Sequence, residues 1–296
     1  MSTVAEPRAG RVSLPKARQG RRRPRDFDKP RFLRAFFWLF MIFTFAPLAI
    51  VALFSFNSTP SLQDFNGFSL QWYDEFLSNA TLRQSLTASI EIGLVTMVVG
   101  TFLGTTLAFA LVRARSRIAR SSNLLMLFPL VTPEIVAGVA ALLLFAQIGM
   151  ELSLATIMIA EITFSISFVT VIVRARLSAL NREVEEAALD LGATRIETLR
   201  LIVLPALWPA ILASGLLIFA LSFDDFVIAF FTTGESPTPL AVQIYSSIRF
   251  GVRPTINAIG TSMLLISFLI LAVAVLLPRI LGRKDEQNVL MGGDTV

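Results

Sequence analysis

The chain has 296 residues, 54% hydrophobic and only 16% charged, with a mean hydropathy of +0.70; that excess of apolar side chains excludes a soluble globular domain and points to a membrane. The absence of Cys removes disulfide frameworks, thiolate metal sites and cysteine nucleophiles, and the absence of His removes the commonest general base and zinc ligand, so most enzyme chemistries are excluded. The net charge of +5 is carried in a few basic blocks, which suits a topology signal better than a nucleic-acid surface.

Residues 1–30 are rich in Arg, Pro, Gly and Ser without an apolar period, and are expected to form a disordered, basic cytoplasmic tail that either stays solvated or touches anionic lipid. A bilayer core of about 30 Å needs roughly 20 apolar residues in a helix. Six stretches meet that length, near 32–56, 83–112, 122–146, 153–173, 207–231 and 257–281. The first is longer than the apolar core of a signal peptide and reads as a retained anchor. The expected fold is thus an all-α membrane protein, with a transmembrane domain over 31–282 and a short cytoplasmic tail at 283–296.

Basic residues set the orientation. The tail up to Arg34 holds 11; the second-to-third connection holds Arg113, Arg115, Arg117 and Arg120; the fourth-to-fifth holds Arg174, Arg176, Arg182, Arg195 and Arg200; the C-terminal end holds Arg279, Arg283 and Lys284. Only Arg83, Arg249 and Arg253 remain for the other side. Six spans with both termini in the cytoplasm satisfy this asymmetry.

The connection 174–205 carries its own helix signals. Asn181 is placed to cap a short helix with Val184, Ala187, Ala188 and Leu191 on one face, and Gly192 suits a left-handed stop. Thr194 and Glu197 then form a capping box for a second helix carrying Ile196, Leu199, Ile202 and Val203, with Pro205 and Pro209 marking the turn back into the bilayer. Such a helix pair is either a rigid knob for a soluble partner or an amphipathic pair lying on headgroups. Glu183, Glu185, Glu186 and Asp190 favour the protein partner, since anionic lipid repels them.

Glu186-Ala187-Ala188, three residues, Gly192, nine residues and Ile202-x-Leu204-Pro205 resemble the EAA loop of ATP-binding-cassette importer permeases at every fixed position. The resemblance extends through Ser55-Phe56-Asn57-Ser58, Gln71-Trp72-Tyr73, Thr132-Pro133-Glu134, Ser222-Phe223-Asp224-Asp225, Pro239-Leu240, Tyr245-Ser246 and Gly251-Val252-x-Pro254. These are similar to the spermidine/putrescine branch, in particular its PotC/PotI-type subunits. The resemblance implies that Glu186, Ala187, Ala188 and Gly192 face an ATPase. It further implies a heterodimer with a second permease, two ATPase subunits and a periplasmic substrate-binding protein, in a bacterial inner membrane. The chain itself has no P-loop around Lys16, Lys29 or Lys284, so it binds no ATP and is expected to be a pore-forming subunit, not an enzyme.

Five carboxylates fall inside predicted spans: Glu91, Glu134, Glu161, Asp224 and Asp225. Intramembrane ionisable residues are costly and are functional candidates by default. At 1.5 Å per residue, Glu91 and Glu161 lie about 12 Å below the outer helix ends, Asp224 and Asp225 about 10 to 12 Å, and Glu134 about 20 Å. No Lys or Arg falls at that depth, so the acids protonate, pair elsewhere or await a cation. A polyamine passenger, with several ammonium groups along one chain, matches several acids along one path. Asp224 and Asp225 match the family's S-x-D-D; two adjacent helical residues point about 100° apart, so one of them faces the path. Glu134 stands where relatives usually carry Asp, and Glu161 where His is common. Trp72 offers a π face to an ammonium, or serves as an interfacial anchor.

Other passengers fit the same machinery, such as an opine, a betaine or a modified amino acid. An ion-coupled carrier is a further reading, disfavoured by the EAA loop, for which it has no use.

Overall fold

The computed structural model describes residues 31–61, 63–113, 128–235, 237–249, 251 and 253–291. The tail 1–30, and the connection carrying Arg115, Arg117 and Arg120, lie outside the described residues. The chain divides into two compact units, 1–48 and 49–296. The described part of the first is the beginning of helix α1, Arg31–Phe54, an uninterrupted apolar helix with Pro47 inside it.

The second unit is built from helices in chain order: α2 (Gln71–Ser78), α3 (Ala80–Val95), a π turn at Thr96–Gly100, α4 (Thr101–Arg113), α5 (Glu134–Gln147), α6 (Leu154–Ser178), α7 (Arg182–Asp190), α8 (Arg195–Thr198), a second π turn at Leu199–Val203, α9 (Leu204–Phe223), α10 (Val227–Thr232), α11 (Leu240–Ile248) and α12 (Pro254–Met291). Among the described residues five helices are long and apolar enough to cross a membrane: Phe32–Phe54, Ala80–Arg113, Leu154–Ser178, Arg195–Phe223 and Pro254–Leu276. Glu134–Gln147 is apolar but shorter, and part of the predicted span 122–146 lies outside the described residues.

Helix α9 is the centre of the packing, with α3, α6 and α12 against it, while α4 packs on α6 and α10 on α5. Buried Ala108, Val169, Val173 and Ile218 join α4, α6 and α9. Buried Phe76, Phe223, Leu240, Ile259 and Met263 join α2, α9, α11 and α12. The α4–α6 contact depends on a small residue: a Cβ at Gly104 would stand 2.6 Å from the Cβ of Val169, and the Thr170 hydroxyl donates to the Gly104 carbonyl across 3.1 Å. Close backbone approach at small residues is how apolar helices associate where lipid is as apolar as they are.

Two predicted spans are interrupted. Within 122–146, helix persists through Val131, breaks at Thr132–Pro133 and restarts at Glu134; the proline withdraws a donor and biases the residue before it away from helix. Within 207–231, α9 ends at Phe223 and α10 starts at Val227. The expected turn at Pro205 and Pro209 is absent: helix runs without a break from Arg195 through Phe223, so the second predicted loop helix is the foot of the next span. The π turn immediately before Pro205 widens the helix where the ring would crowd the carbonyl four residues back, so the helix absorbs the proline. The fourth span runs on to Ser178 and the last helix to Met291, both beyond their predicted ends.

Candidate functional site

Three of the predicted acids meet at one place. Glu134, Glu161 and Asp225 line a cavity of about 50 Å³ together with Phe164, Ser165 and Ser222, and among the described residues its lining contains no Lys or Arg. Each reaches it by a different local device. Glu134 is the first residue of α5, placed by the Pro133 break. Asp225 lies in the gap between α9 and α10, where its Oδ2 accepts the Ala229 amide at 3.0 Å and so caps α10. Both carboxylates therefore sit at helix N-termini, whose unpaired amides and dipole favour negative charge. Glu161 is held in the middle of α6, buried, with Ser222 of α9 donating its hydroxyl to Oε2.

The interruption corrects the helical picture of the aspartate pair. Asp224 ends α9 with φ −108° and ψ 10° rather than continuing the helix. Only Asp225 of the two lines the cavity, and Asp224 is exposed. Glu91 is exposed on α3 and does not line the cavity.

Trp72 does not line it either. It belongs to a separate cluster in the connection after α1, where two of the quoted motifs bond to each other. The indole Nε1 donates to the Asn57 carbonyl at 2.6 Å, the Ser55 and Tyr73 hydroxyls are 2.7 Å apart, and the Gln71 amide donates to the Ser58 carbonyl at 2.8 Å. Asn57 is fully buried; its amide donates to the carbonyls of Ser61 and Asp64, each at 2.8 Å, and its Oδ1 accepts the Asn66 amide at 2.9 Å. The stacked rings of Phe56 and Phe68, 4.9 Å apart, close the same loop.

The predicted coupling segment has the local form the sequence implies. Asn181 accepts the Glu183 amide at 3.0 Å to start α7. Gly192 has φ +93°, its amide bonds to the Leu189 carbonyl and the Ala193 amide to the Ala188 carbonyl, each at 3.0 Å, the paired bonds of a Schellman stop. Thr194 and Glu197 form the reciprocal capping box. No residue of α7 is buried, and Val184, Leu189 and Leu191 are exposed beside Glu186 and Ala187. Arg113, at the end of α4, holds Glu185 of α7 at 2.9 Å.

Sequence reasoning did not single out the role of Ser222 toward Glu161, nor Ser165 and Thr96 nearby. Their only signal was a hydroxyl inside an apolar run, which is weak because small polar residues also serve helix packing in membranes. Also unforeseen is a second cavity of about 350 Å³ where α2, α11 and the start of α12 meet, lined in part by Glu75, Gln243, Arg253 and Thr255, with Thr255 donating to Glu75 at 3.0 Å.

Residues 97–285 match the family described as binding-protein-dependent transport system inner membrane component. The putrescine transport system permease protein PotI of Escherichia coli K12 is 37% identical over 229 residues, 75% of this chain and 82% of that protein. The spermidine/putrescine transport system permease protein PotC of Haemophilus influenzae is 33% identical over 249 residues, 84% of this chain and 97% of that protein. A crystal structure of a bacterial ABC transporter that imports the acidic polysaccharide alginate shares the fold, with a TM-score of 0.66 at 14% identity over 84% of this chain and 93% of the other. The chain belongs to the family of binding-protein-dependent transport system inner membrane components, and is a multi-pass membrane permease subunit rather than a catalytic one.

Proposed function

We propose that this chain is one of the two permeases of an ATP-driven importer of polyamines, such as putrescine and spermidine. The observation that carries the reading is the convergence of Glu134, Glu161 and Asp225 on one cavity with no basic residue in its lining among the described residues. Carboxylates taken out of water need a proton or a countercharge, and a di- or polyamine brings several positive charges. The names of the PotI and PotC relatives agree with such a passenger. The acids form a weak, transient path; tight binding at mid-membrane would trap the substrate. In this reading Asp225, Glu134 and Glu161 meet the passing ammonium groups, Asp224 leads toward them and Trp72 stands at the outer mouth.

The arrangement that completes the reading has six spans, both termini in the cytoplasm, a transmembrane domain over 31–282 and cytoplasmic tails at 1–30 and 283–296. The segment 174–205 presents Glu186, Ala187, Ala188 and Gly192 to an ATPase subunit, with a second permease, a second ATPase and a periplasmic substrate-binding protein completing the assembly. Its exposed apolar and acidic surface supports a protein partner, since a helix with no buried residue and a rigid stop is suited to being gripped. An importer of another cationic or zwitterionic solute shares the loop but has no need of three acids around one cavity.

Competition uptake in proteoliposomes holding the complete complex tests the reading, with putrescine, spermidine and neutral solutes, in wild type and in Asp224→Asn plus Asp225→Asn. Polyamines compete and the double change removes uptake; preference for a neutral solute, unaffected by the double change, refutes the proposal.

A further inference from the structure

Glu161 has 3% of its surface exposed, yet only one of its two oxygens is satisfied. Oε2 accepts the Ser222 hydroxyl, while Oε1 is buried with no hydrogen-bond partner among the described residues. The side chain lines the small cavity that Glu134 and Asp225 share. Thr96, in the π turn after α3, approaches Glu161 closely enough to act on its carboxylate, although its hydroxyl falls outside hydrogen-bonding geometry. An acceptor left unpaired in a low-dielectric interior is costly, and a native site that keeps one is prepared for a donor.

The cavity restricts what that donor is. Three carboxylates and, among the described residues, no basic residue in the lining favour positive charge. A bare metal ion is a poor fit, because among the described residues no three carboxylates are close enough to ligate one. The volume of about 50 Å³ is small beside the 350 Å³ of the cavity near Glu75, so it suits a compact head group rather than a bulky one. A primary ammonium is such a group, with a full charge and three N–H donors. A quaternary ammonium has no N–H and carries methyl groups in their place.

We propose that the Glu161 cavity is a seat for a single primary ammonium group, donating to Glu161 Oε1 between Asp225 and Glu134, and that it excludes quaternary ammonium. The inference rests on the polyamine reading and deepens it: the seat takes one end of the chain at a time, so a passenger is handed on amine by amine. Selection by N–H count and size then operates inside the permease.

Thermal unfolding of the complete complex in nanodiscs, with sodium, methylammonium, trimethylammonium or tetramethylammonium chloride at matched ionic strength, tests the seat. Binding to the folded state alone raises the melting temperature. Methylammonium raises it by about 3 °C over sodium and tetramethylammonium, and Glu161→Gln abolishes the difference. Ile228→Ala, which enlarges the cavity at its wall, extends the stabilisation to trimethylammonium, a gain that misfolding does not produce. Equal effects of methylammonium and tetramethylammonium, no effect of either, or a methylammonium effect that survives Glu161→Gln overturns the seat. Putrescine uptake by the same complex in proteoliposomes separates the two claims: a methylammonium effect without putrescine uptake keeps the seat and removes the polyamine reading, and the reverse removes the seat alone.

Discussion

The indole of Trp72 gives its single N–H to the carbonyl of Asn57, 2.6 Å away and fifteen residues earlier in the chain. That bond joins the Gln71-Trp72-Tyr73 segment to the turn that follows α1, and Asn57 in turn holds Ser61, Asp64 and Asn66 by their backbones. The loop is therefore organised around a buried amide, and the polar edge of Trp72 is already engaged.

Trp72→Phe keeps a ring for packing and loses this bond, a cost of about 1 kcal/mol. Asn57→Ala removes three side-chain bonds and leaves backbone groups of the loop unpaired, costing about 2 to 3 kcal/mol. Thermal unfolding of the complex ranks the two, and hydrogen exchange shows loss of protection at Asn66 in Asn57→Ala. Equal effects refute the central role of Asn57.

At the helix break, Asp225→Asn and Asp225→Ala separate charge from capping. Asn retains an acceptor for the Ala229 amide, so the fold persists while uptake of a dicationic substrate falls about tenfold, equivalent to about 1.4 kcal/mol. Ala also removes the cap, costing about a further 1 kcal/mol of stability. Asp224→Asn, exposed and outside the cavity lining, has the smaller effect on uptake. Initial uptake rates beside unfolding curves report both quantities, and a larger loss from Asp224→Asn contradicts the assignment.

Gly192 has open space around the position of a Cβ but a φ of +93°. Ala there costs about 1 to 2 kcal/mol through backbone conformation alone, spent locally on the stop between α7 and α8. The expected result is an assembled complex with basal ATP hydrolysis and little substrate-stimulated transport. Retention of full coupling in Gly192→Ala rejects the docking role.

In the α4–α6 contact, Gly104→Ala drives a methyl against Val169 and costs about 1 to 3 kcal/mol by overpacking. Val169→Ala keeps the Cβ that the new methyl meets, whereas Val169→Gly vacates it, so Gly104→Ala combined with Val169→Gly recovers part of the loss. The double-mutant cycle gives a coupling energy of favourable sign; strict additivity in thermal unfolding shows that the two side chains do not meet.

The Arg113–Glu185 pair shows how an apparent tie is weighed. Both side chains are partly exposed, at 48% and 22%, and such a bridge is worth about 0 to 1 kcal/mol in a protein with screening salt around it. Arg113→Ala is expected to change the melting temperature only slightly, with the difference vanishing as salt is raised.

Much of this architecture was legible one segment at a time. Asn181, Gly192, Thr194 and Glu197 do what their types do at helix ends, because a cap is decided by a few neighbouring backbone groups. Pro205 defeated the same reasoning. A proline is read as a helix break from its own chemistry, but the π turn before it and the packing of α9 kept the helix whole. The break after Phe223 had the opposite fate: an apolar run with two aspartates read as one span, and the structure spends an aspartate on capping a new helix.

Apolar run length, basic asymmetry and the spacing of glycine and capping residues were enough for the sequence to determine a polytopic helical protein with a structured segment ahead of α9, since each of these acts over a turn or two of chain. Which acids meet was decided only by tertiary structure. Glu161 and Ser222 are 61 residues apart and face each other because α6 packs on α9, whereas Glu91, an equal candidate by depth, is exposed outside the cavity lining. Rotation of a helix about its axis is set by the neighbours it packs against, and no periodicity within a nearly uniform apolar run encodes it.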